Sequence, residues 1–157
     1  MQDVLHWLCL ALLCALLVVA AVGDARSYII SNRLNGAIAL LAIPWWLTAA
    51  NLAWPMLGMQ AALAVGVFVV LLGLFAAGVM GGGDVKLLAA LALWLPPVPF
   101  AEMFMIIAIF GGLLTAGFVV AHRLRRREGQ PEIPYGIAIS AGALLCFGEP
   151  LVKHFPG

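Results

Sequence analysis

Three aspartates occur in the chain, Asp3, Asp24 and Asp84, and the last two each adjoin a long apolar run. A carboxylate in or beside hydrocarbon is costly to keep charged, so such residues are functional candidates that normally have a partner close by. If Asp24 and Asp84 meet, repulsion between like charges stops both from ionising together near neutral pH, and the pair shares one proton. That is the chemistry of peptide-bond hydrolysis by paired carboxylates. One, as base, takes a proton from water, while the other, still protonated, polarises the scissile carbonyl; neither a metal nor a covalent intermediate is needed. Asp84 stands at the start of an apolar helix, whose amino end favours an anion, and Asp24 near the carboxyl end of another, so Asp24 is the expected proton holder.

The elements that must position these residues are membrane helices. Of 157 residues 65% are hydrophobic and 10% charged, with a mean hydropathy of +1.12, so most of the chain cannot face water. At about 20 apolar residues per crossing, six segments can be read, over residues 4–23, 34–50, 56–80, 85–95, 100–121 and 135–152. The fold class expected is therefore all-α integral membrane, with six transmembrane helices. The fourth is short: between Gly81–Gly83 and the prolines Pro96, Pro97 and Pro99 there is room for only about 16 Å of helix, half a bilayer. Broken helices of this kind often mark sites. The first segment carries Asp3 and no Lys or Arg at its leading end, which argues against a cleaved signal peptide.

The longest polar stretch, His122 to Glu132, falls far below the roughly 50 residues of an independent domain. One polytopic domain over residues 1–157 is expected, with no soluble domain. A net charge of +1 argues against binding nucleic acid, which depends on phosphate neutralisation. Cys9, Cys14 and Cys146 form no CxxC pair, and His6, His122 and His154 are scattered, so no metal site or other cofactor is expected. The tryptophans read as interface or packing residues.

Positively charged loops stay cytoplasmic. Arg26, Arg33, Lys86, Arg123, Arg125, Arg126 and Arg127 fall on one face and Lys153 on the other, which places both termini outside and both candidate aspartates at the cytoplasmic surface. The Arg123 to Arg127 cluster reads as a topology determinant touching anionic headgroups, with a basic-peptide role for Glu128 and Glu132 as the weaker reading.

Glycines at 81, 82 and 83 let an extended peptide approach the Asp84 carboxylate closely. They also suit a plain connecting loop, and Gly78 with Gly82 has the spacing of a helix-packing pair. Taken together, Gly81-Gly82-Gly83-Asp84-Val85-Lys86 resembles the GxGD motif, with its following Lys, of the type IV prepilin peptidases. Two further stretches, Asp24 through Asn32 and Ile133-Pro134-Tyr135-Gly136 through Ile139, are similar to that family's first aspartate segment and its Pro-Tyr-Gly segment. Ser31 departs from the pattern, where the family commonly has Pro. The presenilin and signal-peptide-peptidase enzymes share the GxGD aspartate, but the Tyr-Asp pair and Pro-Ala-Leu segment that mark them are missing here.

The resemblance implies an aspartic endopeptidase of the bacterial inner membrane, with Asp24 and Asp84 as its catalytic pair. Its expected partners are prepilin or pseudopilin substrates, from which it cuts short leaders at the cytoplasmic face. Without an amino-terminal CxxC region the chain resembles the short, peptidase-only members of tight-adherence pilus systems, and methylation is not expected of it. Gly81, Gly83, Lys86, Asn32, Pro134, Tyr135 and Gly136 are the supporting candidates. Asn32 suits either a bond to a carboxylate or a helix cap, and Asn35 a cap. Lys86 either serves the site or snorkels to the headgroups. Pro134 suits a first helical turn and Tyr135 an interfacial belt. Two other classes fit membrane carboxylates: a small proton- or cation-coupled transporter, and a noncatalytic subunit of a pilus machine.

Overall fold

The computed structural model describes residues 2–48, 54–124 and 133–154. All six elements are helices: α1 (Gln2–Ser27), α2 (Asn32–Thr48), α3 (Trp54–Ala76), α4 (Gly82–Leu91), α5 (Pro97–Leu124) and α6 (Tyr135–His154). Three stretches, Asp3–Ser27, Leu57–Ala76 and Pro97–Ala121, are long and apolar enough to cross a membrane, and Tyr135–Gly148 is a shorter apolar helix. The protein is an all-α membrane protein, as its composition requires. Its surface agrees: Val69, Val70, Leu113 and Leu124 are among many large apolar side chains facing outward. The polar side chains Asp24, Asn35, Gln60, Asp84 and Ser140 are buried instead.

Local chemistry sets the breaks. At the end of α3 Gly78 takes a left-handed φ of +72°. The Val79 amide bonds the Leu74 carbonyl and the Gly78 amide that of Phe75, the paired bonds with which a glycine closes a helix. Gly81 then caps α4, whose 10 residues make a rod of roughly 15 Å. Residues 92–95 turn rather than continue the helix, because Pro96 and Pro97 follow; Pro97 opens α5, where its missing amide costs nothing. Ser31 Oγ accepts from the Leu34 amide at 3.2 Å. The cap of α2 is thus this serine, and not Asn35, which lies inside the helix.

The short α4 is the centre of the bundle, packed on α2, α3 and α6, while α1 lies against α2 and α6, and α5 against α6. Its Leu87, Leu88 and Leu91 are wholly buried, among a core that includes Leu13 and Leu17 of α1, Ile38 of α2 and Ala143 of α6. An aromatic clasp fixes the end of the bundle remote from the aspartates. His6 stacks on Trp45 at 4.0 Å, and Trp45 and Phe147 both meet Trp94. Trp94 Nε1 donates to the Ile38 carbonyl and Trp46 Nε1 to that of Leu93. These tryptophans pack and hydrogen-bond inside the bundle, and tie the carboxyl end of α4 to α2.

Candidate active site

At the opposite end three junctions converge: the α1–α2 connection, the α3–α4 turn and the start of α6. Asp24 and Asp84 both line the cavity they enclose, of about 740 Å³, together with Tyr28, Ile30, Gly81, Gly82, Gly83, Ile133 and Tyr135. The two carboxylates, 60 residues apart in the chain, are close enough for the charge of Asp24 to act on Asp84.

Asp24 lies in the last turn of α1, inside the helix, and is only 4% exposed. The amides of Gly136 and Ile137, in the first turn of α6, face its carboxylate. Its buried Oδ2 nevertheless has no hydrogen-bond partner among the described residues. The field here differs from the one expected from α1 alone, because the positive amino end of α6 is aimed at the same carboxylate as the negative end of α1. Gly136 makes this approach feasible: a Cβ there would lie 2.8 Å from both Cγ and Oδ2 of Asp24 and 2.6 Å from Cδ1 of Ile30.

Asp84 is the third residue of α4, 8% exposed, and its carboxylate turns back towards the amide of the capping residue Gly81. A side chain reaching back from this position to the cap is the usual way an acidic residue satisfies a helix start. Gly81 leaves room for this carboxylate, since a Cβ there would lie 3.0 Å from Asp84 Oδ2 and the carboxylate would have to give way. Gly83 is constrained from the other side, where a Cβ would meet the Cβ, carbonyl and amide of Ile30 at 3.2–3.4 Å. Ile30 therefore wedges between the start of α4 and the start of α6, a role its own sequence context does not signal.

The other candidates divide into two groups. Asn35 Nδ2 donates to the Gly83 carbonyl at 3.0 Å, tying α2 to the residue before Asp84, while its buried Oδ1 is without a partner among the described residues. Lys86 Nζ donates to Asn32 Oδ1 at 2.8 Å. That exposed pair lies outside the carboxylate cavity, beside an apolar groove of about 560 Å³ between α2, α3 and α4. Pro134 is buried immediately before α6. Tyr135 is half-buried rather than set in an exposed belt: its ring lies over Gly111 and its hydroxyl is 2.9 Å from Thr115 Oγ1. Thr115 gives its own proton to the Gly111 carbonyl at 2.7 Å, so the phenol is the donor in that pair. Thr115 escaped the sequence reading because it lies 20 residues away on another helix.

Among the described residues no group of three or more His, Cys, Asp or Glu side chains could hold a metal ion. Arg125, Arg126, Arg127, Glu128 and Glu132 lie outside the described residues.

The chain matches the type IV leader peptidase family over residues 11–119, a stretch that includes both aspartates. The chain belongs to the type IV leader peptidase family. It is also similar to the prepilin leader peptidase/N-methyltransferase of Bacillus subtilis (strain 168), with 31% identity over 147 residues. That alignment takes in 90% of this chain and 56% of the relative, so the chain spans little more than half the relative's length. No solved structure matches it.

Proposed function

We propose that this member of the family is an aspartic endopeptidase of the bacterial inner membrane that cuts the leader from prepilins or pseudopilins at the cytoplasmic face. The observation that carries the reading is the meeting of two buried carboxylates, from α1 and α4, on one glycine-walled cavity. The distribution of Lys and Arg supports the cytoplasmic assignment of that end.

In this reading the two carboxylates share a proton because like charges this close do not both ionise. A water between them loses a proton to the ionised carboxylate as its oxygen bonds to the scissile carbonyl carbon. The protonated carboxylic acid meanwhile hydrogen-bonds the carbonyl oxygen and stabilises the charge developing there. Collapse of the tetrahedral intermediate breaks the C–N bond, the amine leaves with a proton from the carboxyl pair, and the shared-proton state is restored. Gly81 and Gly83 leave room for an extended peptide backbone beside Asp84. Asn35, through the Gly83 carbonyl, and Gly136, through its approach to Asp24, hold the two carboxylates in register.

The test is cleavage of a prepilin by the purified protein in lipid, comparing wild type with Asp24→Asn and Asp84→Asn variants matched for folding. Each substitution is expected to lower kcat by at least about 100-fold, the scale of losing a positioned acid or base. Full activity in either variant refutes the pair. An inactive wild type that shows proton-coupled uptake instead favours a transporter.

A further inference from the structure

Tyr28 departs from ordinary backbone geometry. It follows α1 directly and its φ is 54°, the one left-handed value among non-glycine residues of the described chain. Its amide bonds the Asp24 carbonyl at 2.9 Å, the single bond by which a left-handed residue closes a helix. Glycine fills such a position without steric penalty and asparagine tolerates it through local hydrogen bonding, whereas a tyrosine is strained there. Strain of this kind persists only where the surrounding structure holds it in place, and it clusters at active sites and ligand clamps.

The side chain is placed to be used. The chain has two tyrosines, Tyr28 and Tyr135, and both line the cavity of Asp24 and Asp84. Tyr135 is occupied with Thr115. Tyr28 is 47% exposed, and beside it Ile29 is 67% exposed; Val79, contributed to the same cavity by the α3–α4 turn, is 65% exposed. The cavity thus has an apolar lip from the α1–α2 connection and a second from the α3–α4 turn, with the glycines and carboxylates also on its wall.

We infer that Tyr28 is a substrate-binding residue, its ring forming one lip of the cavity and packing on an apolar residue of the peptide beside the scissile bond. Tyr28 lines the cavity at the point where its left-handed backbone closes α1. The inference rests on the peptidase reading above. A rigid aromatic ring supplies large contact area at small entropic cost, and a contact made equally in ground and transition states shows in KM and not in kcat.

The experiment measures prepilin cleavage in liposomes, with thermal unfolding, for Tyr28→Gly, Tyr28→Asn and Tyr28→Phe. Glycine relieves the strain and asparagine bears the left-handed backbone better than tyrosine, so both variants are expected to unfold at or above the wild-type temperature. Their KM should rise about tenfold or more while kcat changes less than about threefold. Phenylalanine, which keeps the ring, should restore a KM near wild type. A glycine variant with wild-type KM overturns the inference, as does a loss confined to kcat, which would mean that residue 28 acts only by fixing Asp24. A benzophenone side chain at position 28 adds a reading independent of turnover: crosslinks to the peptide are expected, and crosslinks to lipid alone overturn the proposal. Should Asp24→Asn and Asp84→Asn still cleave while Tyr28→Gly raises KM, the carboxylate pair fails and Tyr28 stands.

Discussion

Replacing Gly136 with alanine tests whether the approach of α6 to Asp24 matters. The added methyl would lie 2.8 Å from Asp24 Cγ and Oδ2, where ordinary contacts begin near 3.4 Å, so the carboxylate and α6 must part by about 0.6 Å. The nearer clash, 2.6 Å to Ile30 Cδ1, is relieved more cheaply because that atom ends a flexible side chain. A misplacement of about 1 Å at a reacting group costs about 100-fold in rate; scaled to 0.6 Å, the loss is about 15-fold, or about 1.6 kcal/mol of transition-state stabilisation. Initial rates of prepilin cleavage in nanodiscs, with kcat and KM separated, should show this loss mainly in kcat. The folded fraction should stay near that of wild type, since overpacking one methyl costs about 1–3 kcal/mol. Gly117→Ala is the control: nothing lies within 4 Å of a Cβ there, and rate and stability should hold or improve. A Gly136→Ala enzyme that cleaves at the wild-type rate refutes the argument that this glycine sets the position of Asp24.

Two further substitutions address the frame around the carboxylates. Asn35→Ala removes the bond to the Gly83 carbonyl and should cost about 1 kcal/mol of stability in denaturant titration. Asn35→Asp places a buried acceptor against that carbonyl and should cost about 3 kcal/mol or more; equal tolerance of the two would show that the bond does not hold α4. Gly78→Ala puts a side chain at φ +72° and should destabilise the α3–α4 turn by about 1–2 kcal/mol, with Gly78→Asn milder. Circular dichroism melts in detergent that rank alanine at or above asparagine would contradict this.

The resemblance carried by three short motifs anticipated the family, and the family match and the Bacillus subtilis relative agree with it. Much of the fold was legible for local reasons. Apolar runs are read in the chain itself, and so are the glycines and prolines that shorten α4, because each acts within a few residues of where it stands. Segment ends were less legible: α1 continues to Ser27, past the Gly23 at which its apolar run stops, because Ala25, Arg26 and Ser27 extend a helix already formed. Asn35 and Lys86 were in view as polar residues near the site, yet their partners, Gly83 and Asn32, lie 48 and 54 residues away, beyond any local pattern.

By itself the sequence determined an all-helical membrane chain, a half-length fourth helix, and two aspartates at the ends of apolar helices. Hydrophobicity, backbone restriction and charge placement are properties of single residues and their neighbours, so each leaves its mark in the chain. Only the tertiary structure decided what surrounds those aspartates. The expectation that Asp24 holds the proton weighed the end of its own helix, whereas the folded protein also aims the amino end of α6 at it, 112 residues later, through a glycine that permits the contact. Electrostatic fields add over every element that converges on a point, and that convergence is a property of the packed bundle.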